Sequence, residues 1–506
     1  MTWTYGAVMQ AGARRWALFA VVGLGVAGCA VAPTTTPAAR PPAATAPVAA
    51  AEKPAPDARQ WLLRGARVMT AAGVIYDRGD ILVRGGRIID VGASIDVPAG
   101  TAIVDATGKT VTPGIIDTHS HIGVYAVPGF GAHSDGNEMT APTTAHVRAQ
   151  DAYWPQDPQI DHARAGGITT MQILPGSANL IGGRSVTVKT YPGARWIEEA
   201  RFEGAPAGLK MACGENPKRV YGDKGGPATR MGNVAGFRNA FIKAVEYQRG
   251  WTSYRDKLAR YKRKQSEPRK DDDKSDKPDK PDKPDKLDGP PDPPARDLGL
   301  ETLAAVLRGE LLVHNHCYRA DEMLGMLALG REFGFAIRSF HHAVEAYKIA
   351  PELAAAGTSA SVWADWWGFK AEAFDGIREN AALLSVAGAR AIIHSDSGIG
   401  IQHLNQEASK AMWAGRRAGL EIADDEALRW ITANPAWALG VHNQVGTIEP
   451  GKQADLVVWD GDPFSVYAKT AQVFIEGELV YDRNDPNHRP QTDFELGYDN
   501  GRTGVR

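Results

Sequence analysis

Two stretches near opposite ends of the chain share one texture: short apolar runs alternating with polar residues and broken by Gly and Asp. WLLRGARVMTAAGVIYDRGDILVRGGRIIDVGASIDVP begins at residue 61, and GTIEPGKQADLVVWDGDPFSVYAKTAQVFIEGELVYD covers 446–482. A period of two marks strands with one solvated face. Neither stretch is large enough to be stable alone, so residues 61–112 and 446–482 are expected to pair into one composite β-sandwich, with a second domain inserted between them. The inserted part, 113–445, alternates differently. Apolar, β-rich runs at 113–121, 168–174, 185–189, 209–213, 311–317, 335–342, 359–365 and 391–396 are separated in several places by helical patterns such as DEMLGMLALGREFG and NQEASKAMWAGRRAG. Eight parallel strands with crossovers is the count of a closed (β/α)8 barrel, an α/β fold. The same pattern also fits an open doubly wound sheet, and 122–160 reads as loop.

Residues 264–296, with DDDKSDKPDKPDKPDKLDGPPDPP, interrupt this rhythm. The segment has no apolar content to bury, so it is expected to be a disordered, solvated insertion. At the N-terminus, Arg14 and Arg15 precede WALFAVVGLGVAG, a run too short for a membrane span, which reads as a secretory signal over 1–28. It ends in VAGC, which resembles the lipobox of bacterial lipoproteins and implies a lipid on Cys29. Residues 29–60 are rich in Ala, Pro and Thr and suit an extended tether; 483–506 read as a C-terminal tail.

Charge narrows the partners. Lys plus Arg number 57 against 59 Asp plus Glu, a net charge of -2, so no global field favours nucleic acid or an anionic membrane surface. A small amide or peptide substrate is the expected partner, with membrane contact only through the lipid; a homo-oligomer is compatible with the sequence. Apart from Cys29 there are two cysteines, Cys213 and Cys317, either two buried thiols or one bridge in an oxidising compartment.

The candidate chemistry lies at strand ends. In GIIDTHSHIG, residues 114–123, His119 and His121 fall on one face, roughly 6.5–7 Å apart along the strand. A barrel carries its active site at the C-terminal ends of its strands, where two neutral imidazoles suit a metal ion. LLVHNHCYRADEM ends a strand with His316, and His314 lies one layer deeper. RSFHHAVEAYK offers His341 and His342, which as neighbours are expected to face opposite ways, so that only one enters the barrel. AIIHSDSG places Asp396 at the last strand end, with His394 below it. An acid there can ligate metal and serve as general base.

Taken as an ordered set, TPGIIDTHSH, the strand-end His316 and His342, HSDS and GTIEPGKQADLVVW resemble the amidohydrolase superfamily, and within it the imidazolonepropionase-like amidohydrolases. The resemblance runs from about Trp61 to Asp482, the insertion excepted. It implies a metal-bearing (β/α)8 barrel with a small composite β-sandwich, and hydrolysis of a C–N bond by metal-activated hydroxide. It implies His119, His121, His316, His342 and Asp396 as ligands, with Asp396 also as general base and then acid. LKMACGENPKR supplies Lys210, which in dipeptidase-like branches is carboxylated and spans two metals; the other reading turns Lys210 into the strand–helix layer or onto Glu215 and leaves one metal. Zinc is the default ion, one or two per chain, although the ligand types also suit iron and manganese. The chain departs from imidazolonepropionase itself after His316, where Cys-Tyr-Arg stands in place of an H-x-D-E arrangement. Tyr318 and Arg319 are candidates for holding a substrate carboxylate, or for capping the following helix. A prolidase-like dipeptidase is the alternative activity, and a non-catalytic binding lipoprotein is the alternative class. Ala30 after the lipidated cysteine implies sorting to the outer membrane, facing the periplasm.

Overall fold

The computed structural model describes residues 60–266 and 289–492. The signal segment, Cys29, nearly all of the tether, the centre of the Lys/Asp/Pro insertion and the end of the tail lie outside the described residues. Among the described residues no helix is long and apolar enough to cross a membrane.

Sixteen strands build two sheets. The N-terminal part supplies β1 (Gln60–Met69), β2 (Ile75–Arg84), β3 (Arg87–Gly92), β4 (Ala102–Asp105) and β5 (Thr110–Pro113). The middle supplies β6 (Ile115–Ser120), β7 (Ile168–Ile173), β8 (Ile181–Lys189), β9 (Gly208–Ala212), β10 (Leu312–Cys317), β11 (Ile337–His342), β12 (Ser359–Val362) and β13 (Ala391–Ile393). The C-terminal part adds β14 (Leu456–Trp459), β15 (Thr470–Ile475) and β16 (Glu478–Asp482).

The two ends of the body share one sheet, in the order β16-β15-β14-β5-β1-β2-β3, with β4 on β1. The joint is the antiparallel pair β5–β14, in register Thr112 opposite Val457 and Val111 opposite Val458. Both strands are buried along their whole length, and Trp459 Nε1 donates to Thr112 Oγ1 at 3.0 Å. The alternation legible in the sequence produces an apolar face of its own, where Leu63, Val68, Ile81, Val111, Leu456 and Phe474 cluster apart from the barrel core.

The middle strands follow one another in chain order, β6 to β13, as a nearly closed barrel. Every residue of β6, β7 and β9 is buried, on both faces, which is why these strands read as continuous apolar or small-polar runs rather than as alternation. Helices cover the outside: Ala320–Phe333 buries Met323, Met326, Leu327 and Leu329, and Leu404–Arg417 buries Leu404, Ala408, Ala411 and Met412, each on a 3.6-residue stripe. Between β13 and β6 the circle closes at the mouth, where the Asp396 N–H donates to the His119 carbonyl at 3.0 Å and the Ser395 N–H to Asp117 Oδ1 at 3.1 Å.

One strand departs from the expected eight parallel strands. β8 runs antiparallel to both β7 and β9. Residues 174–180, the whole link from β7 to β8, are too few for the crossover of a dozen or more residues that a parallel return requires, so the chain makes a hairpin instead. Nor does the expected insertion begin at residue 264: the helix Arg230–Ser266 continues through that point, with its buried residues Asn233, Phe237, Phe241 and Ala244 all in its first half.

Barrel and sheet are locked together at the end of β8. Lys189 is almost fully buried, and its ammonium donates to Asp455 at 3.0 Å and to Gln453 at 2.7 Å, both just ahead of β14. Glu476 adds a third acceptor at 3.3 Å.

Candidate metal centre

Five elements deliver the six residues of the centre. His119 and His121 come from the end of β6, Lys210 from β9, His316 from β10, His342 from β11, and Asp396 from the turn after β13. The structure brings all six to the mouth. His121 Nε2 lies 3.3 Å from Asp396 Oδ1, and His119 Nε2 lies 3.6 Å from the same oxygen. Lys210 Nζ is 3.3 Å from His119 Nε2. On the far side His342 Nδ1 stands 3.9 Å from Asp396 Oδ2, and the His316 ring packs edge-on against His342 at 4.6 Å between centroids. Asp396 has φ +51° and His342 φ +69°, left-handed conformations that cost a non-glycine residue about 1–3 kcal/mol and that aim both side chains inward.

That backbone turn is also why the expectation for His341 and His342 needs correction. Strict alternation would send one of them outward. His341 instead keeps the inward phase of β11, with Nδ1 at 2.9 Å from His119 Nδ1 and Nε2 at 2.9 Å from His314 Nδ1. His342 follows it in because the strand twists into positive φ at its last residue, so both rings enter the barrel, one above the other. His394 is a further member the sequence argument left below the site: its Nε2 is 3.0 Å from His342 Nδ1. Its signal was the two-residue spacing to Asp396 in HSDS.

The donors are in a form suited to a cation. Burial, with Lys210 adding to it, holds His119, His316, His341 and His342 well below the ordinary imidazole value. Burial likewise pushes His394 to about 4 and His314 to about 3, so all these rings are neutral at pH 7 and can offer a lone pair. Burial pushes Lys210 down to about 7 against the pull of Asp396. Burial works to raise Asp396, but the His121 hydrogen bond and the neighbouring His121, His394 and Lys210 charges outweigh it and leave the carboxyl below its usual value.

Whether the set fits a divalent ion can be read from its nitrogens. His121 Nδ1 is taken by the Leu174 carbonyl at 2.8 Å and His119 Nδ1 by His341, so in both rings Nε2 is the atom left facing Asp396. This is the outer-shell pattern that orients metal-bound imidazoles. Two triads, His119–His121–Asp396 and His119–His342–His394, each bring their donor atoms within 4.8 Å of one another. His316 Nδ1 is buried without a hydrogen-bond partner. The residues fit a divalent metal.

The surroundings are aromatic. Trp363, just past β12, stacks on His342 at 4.3 Å, and its Nε1 donates to the Ser395 carbonyl at 3.2 Å. Tyr318 is buried and also stacks on His342, at 5.3 Å, with its ring 6.0 Å from that of Trp363. Lys370 Nζ sits 3.9 Å above the Tyr318 ring and donates to Asn216 Oδ1 at 3.2 Å, while Asn216 Nδ2 approaches His316 Nε2 at 3.5 Å. Arg319 takes the second place foreseen for it: it is the N-cap residue of the helix Ala320–Phe333, and its guanidinium is turned outward onto Asp321 at 2.9 Å. Neither Asn216 nor Lys370 was legible as a site residue, because Asn216 opens the short helix Glu215–Tyr221 and Lys370 stands in a loop, and neither belongs to a recognisable spacing. Glu215, the alternative partner for Lys210, pairs with Lys370 at 3.6 Å. Cys213 and Cys317, at the ends of β9 and β10, are joined as a disulfide with Cα atoms 5.3 Å apart.

Residues 374–481 match the model of the Amidohydrolase family. The chain is 35% identical over 422 residues to amidohydrolase tasK of Hapsidospora irregularis, a match covering 80% of this chain but 40% of that protein. It is 26% identical over 443 residues to an imidazolonepropionase of Mesorhizobium japonicum, covering 79% of this chain and 92% of that one. A crystal structure of an amidohydrolase from Thermotoga maritima superposes with a TM-score of 0.70 at 36% identity, covering 83% of this chain and all of the other.

Proposed function

The chain belongs to the amidohydrolase family and is a hydrolase, and from that premise we propose that it cleaves a C–N bond in a small amide, cyclic amide or peptide at a metal centre held by His119, His121, Lys210, His316, His342 and Asp396. The observation that supports this best is the convergence of His119 Nε2 and His121 Nε2 on one oxygen of Asp396, at 3.6 and 3.3 Å. Zinc suits a donor set of several imidazoles and one carboxylate. When bound, such an ion supplies a Lewis acid that lowers the pKa of a water molecule to about 7 and polarises a carbonyl.

The chain's own residues do the rest. Asp396, low in pKa and ionised at neutral pH, accepts the proton of the attacking water as the new C–O bond forms. As the C–N bond breaks, Asp396 returns that proton to the leaving nitrogen, so water is consumed and an acid and an amine are released. Its left-handed backbone holds the carboxylate above the β6 histidines throughout. Trp363 and Tyr318 both stack on the His342 ring and help to bury it.

A peptide substrate, as for a prolidase-like dipeptidase, is favoured over a cyclic amide by Lys210. Its amine, at 3.3 Å from His119 and with its pKa brought down to about 7, is in good part neutral there and chemically ready to become a carbamate, an oxygen donor for a second ion. The test is hydrolysis of free and blocked dipeptides beside cyclic amides, with metal content measured on the same sample. Turnover of dipeptides with two ions per chain supports the dipeptidase, turnover of cyclic amides with one ion supports the cyclic-amide reading, and a metal-free chain inert to both refutes the enzyme in favour of a binding lipoprotein. We also propose an envelope location: the Cys213–Cys317 bridge belongs in an oxidising compartment, in keeping with the signal and lipobox pattern ahead of Cys29. Cell fractionation that recovers the protein in the cytosol rules this out.

A further inference from the structure

Beneath the proposed metal centre lies a row of buried polar groups that no catalytic step uses. His119 Nδ1 meets His341 Nδ1 at 2.9 Å, and His341 Nε2 meets His314 Nδ1 at 2.9 Å. All three rings are fully buried. Below them β9 begins with Gly208, where a methyl group would lie 2.9 Å from His314 Cδ2 and 3.0 Å from Gln172 Nε2. Gln172 donates from that Nε2 to Ser185 Oγ at 2.9 Å, which leaves Oε1 as its acceptor. Two buried atoms in this layer have no hydrogen-bond partner: His314 Nε2 and Gln172 Oε1.

Counting donors along the row gives it a direction. A neutral imidazole has one N–H and one lone pair, so each contact between two rings needs a donor on one side and an acceptor on the other. His119 turns Nε2 toward Asp396 and Lys210, so if that lone pair holds the ion, its proton is on Nδ1 and is donated to His341 Nδ1. His341 then carries its proton on Nε2 and donates to His314 Nδ1. His314 in turn accepts on Nδ1 and carries its proton on Nε2, which has no hydrogen-bond partner, so the row of ring-to-ring bonds ends there. The reverse direction would put a proton on His119 Nε2, directly in the ion's place.

We propose that His341 and His314 are positioning residues: a one-directional hydrogen-bond chain that fixes His119 as its Nδ1–H tautomer and so keeps the Nε2 lone pair presented to the metal. The inference rests on the metal centre proposed above. It assigns a reason for the unusual pair His341–His342, in which the second ring reaches the mouth and the first orients a ligand on another strand.

The test uses the full chain with 15N-labelled histidine, loaded with zinc. Ring-nitrogen shifts are expected to give the Nδ1–H tautomer for His119 and the Nε2–H tautomer for both His341 and His314. His341→Phe keeps the ring volume and removes both bonds; its zinc affinity is expected to fall about 10- to 100-fold. His341→Asn, whose side-chain oxygen can still accept from His119, recovers part of that loss. A folded His341→Phe protein that holds zinc as tightly as wild type overturns the proposal, as does an Nδ1–H signal from His341 in the loaded wild type. Should His341→Phe fail to fold, His314→Phe leaves His119 and His341 in place and removes the acceptor of the second bond: a changed tautomer population at His341 supports the chain, and an unchanged spectrum and affinity overturn it. Wild-type protein that takes up no zinc is a distinct result; it refutes the metal centre itself and removes the chain's direction with it.

Discussion

Lys210 Nζ stands 3.3 Å from His119 Nε2, and both side chains are completely buried. Burial brings the amine down to about 7, so just above neutrality it is free to react with carbon dioxide, whereas an ammonium would repel a dication. Elemental analysis of wild type and Lys210→Ala is expected to give two metals falling to one or none; one metal, unchanged by the substitution, rules out a bridging carbamate. The metal-free protein offers a second reading of the same shift. Between about pH 7 and the ordinary lysine value of 10.5 the unfolded chain holds a proton on Lys210 that the folded chain lacks, so this group makes stability rise with pH, by at most about 1.4 kcal/mol per pH unit. Urea unfolding of wild type and Lys210→Met over that range is expected to differ by this slope.

The proposed function gives Asp396 two roles that substitution can separate. Asp396→Asn preserves an oxygen beside His121 but cannot accept a proton. Metal content is expected to stay near wild type while kcat falls about 10²- to 10⁴-fold, measured on whichever substrate the wild type turns over. A variant with near-normal turnover removes Asp396 from the proton transfers.

The bridge between Cys213 and Cys317 ties the strand of Lys210 to the strand of His316 across a sequence separation of 104 residues. Closing a loop of that size constrains the unfolded chain by about 4–5 kcal/mol in the chain-entropy model. Reaction of the unfolded, unreduced body from residue 60 onward with a thiol reagent is expected to find no free thiol. The double replacement Cys213→Ala with Cys317→Ala is expected to unfold several degrees earlier by calorimetry.

Lys189 and Asp455 hold the barrel against the composite sheet, ammonium to carboxylate at 3.0 Å with both side chains buried. Lys189→Met strands a buried carboxylate and is expected to cost about 3–5 kcal/mol in denaturant unfolding. Adding Asp455→Leu to that variant is expected to recover much of the loss, because the unpaired charge goes with it. If the double variant is no more stable than the single one, the pair is not what joins the two parts.

The parts of this molecule that follow from a local period could be read in the sequence. All eight barrel strands fall where apolar runs placed them, the two ends meet at β5 and β14, and THSH, HNH and HSDS sit at strand ends facing the mouth. What escaped reading depended on single dihedral angles or on chain length. His342 enters the barrel beside His341 because of one positive φ, a value no alternation rule contains. β8 reverses because seven residues cannot make a crossover, a limit present in the sequence but overridden by the strand count. Arg319 and Lys370 show the third cause: one was proposed from its place next to a ligand and turns away, while the other, far along the chain, arrives within 3.2 Å of Asn216 through the fold alone.

The pairing of β5 with β14 also sets an order of events in the making of the protein. Thr112 emerges from synthesis just ahead of the barrel, but its partner Val457 comes only after the barrel is complete. Until then the edge of β5 is open and Lys189 has no Asp455 to neutralise it, so the first half of the chain can assemble its strands yet cannot lock. The last strands act as the clasp, and a chain cut short before residue 456 leaves the ribosome with most of its barrel and none of its fastening.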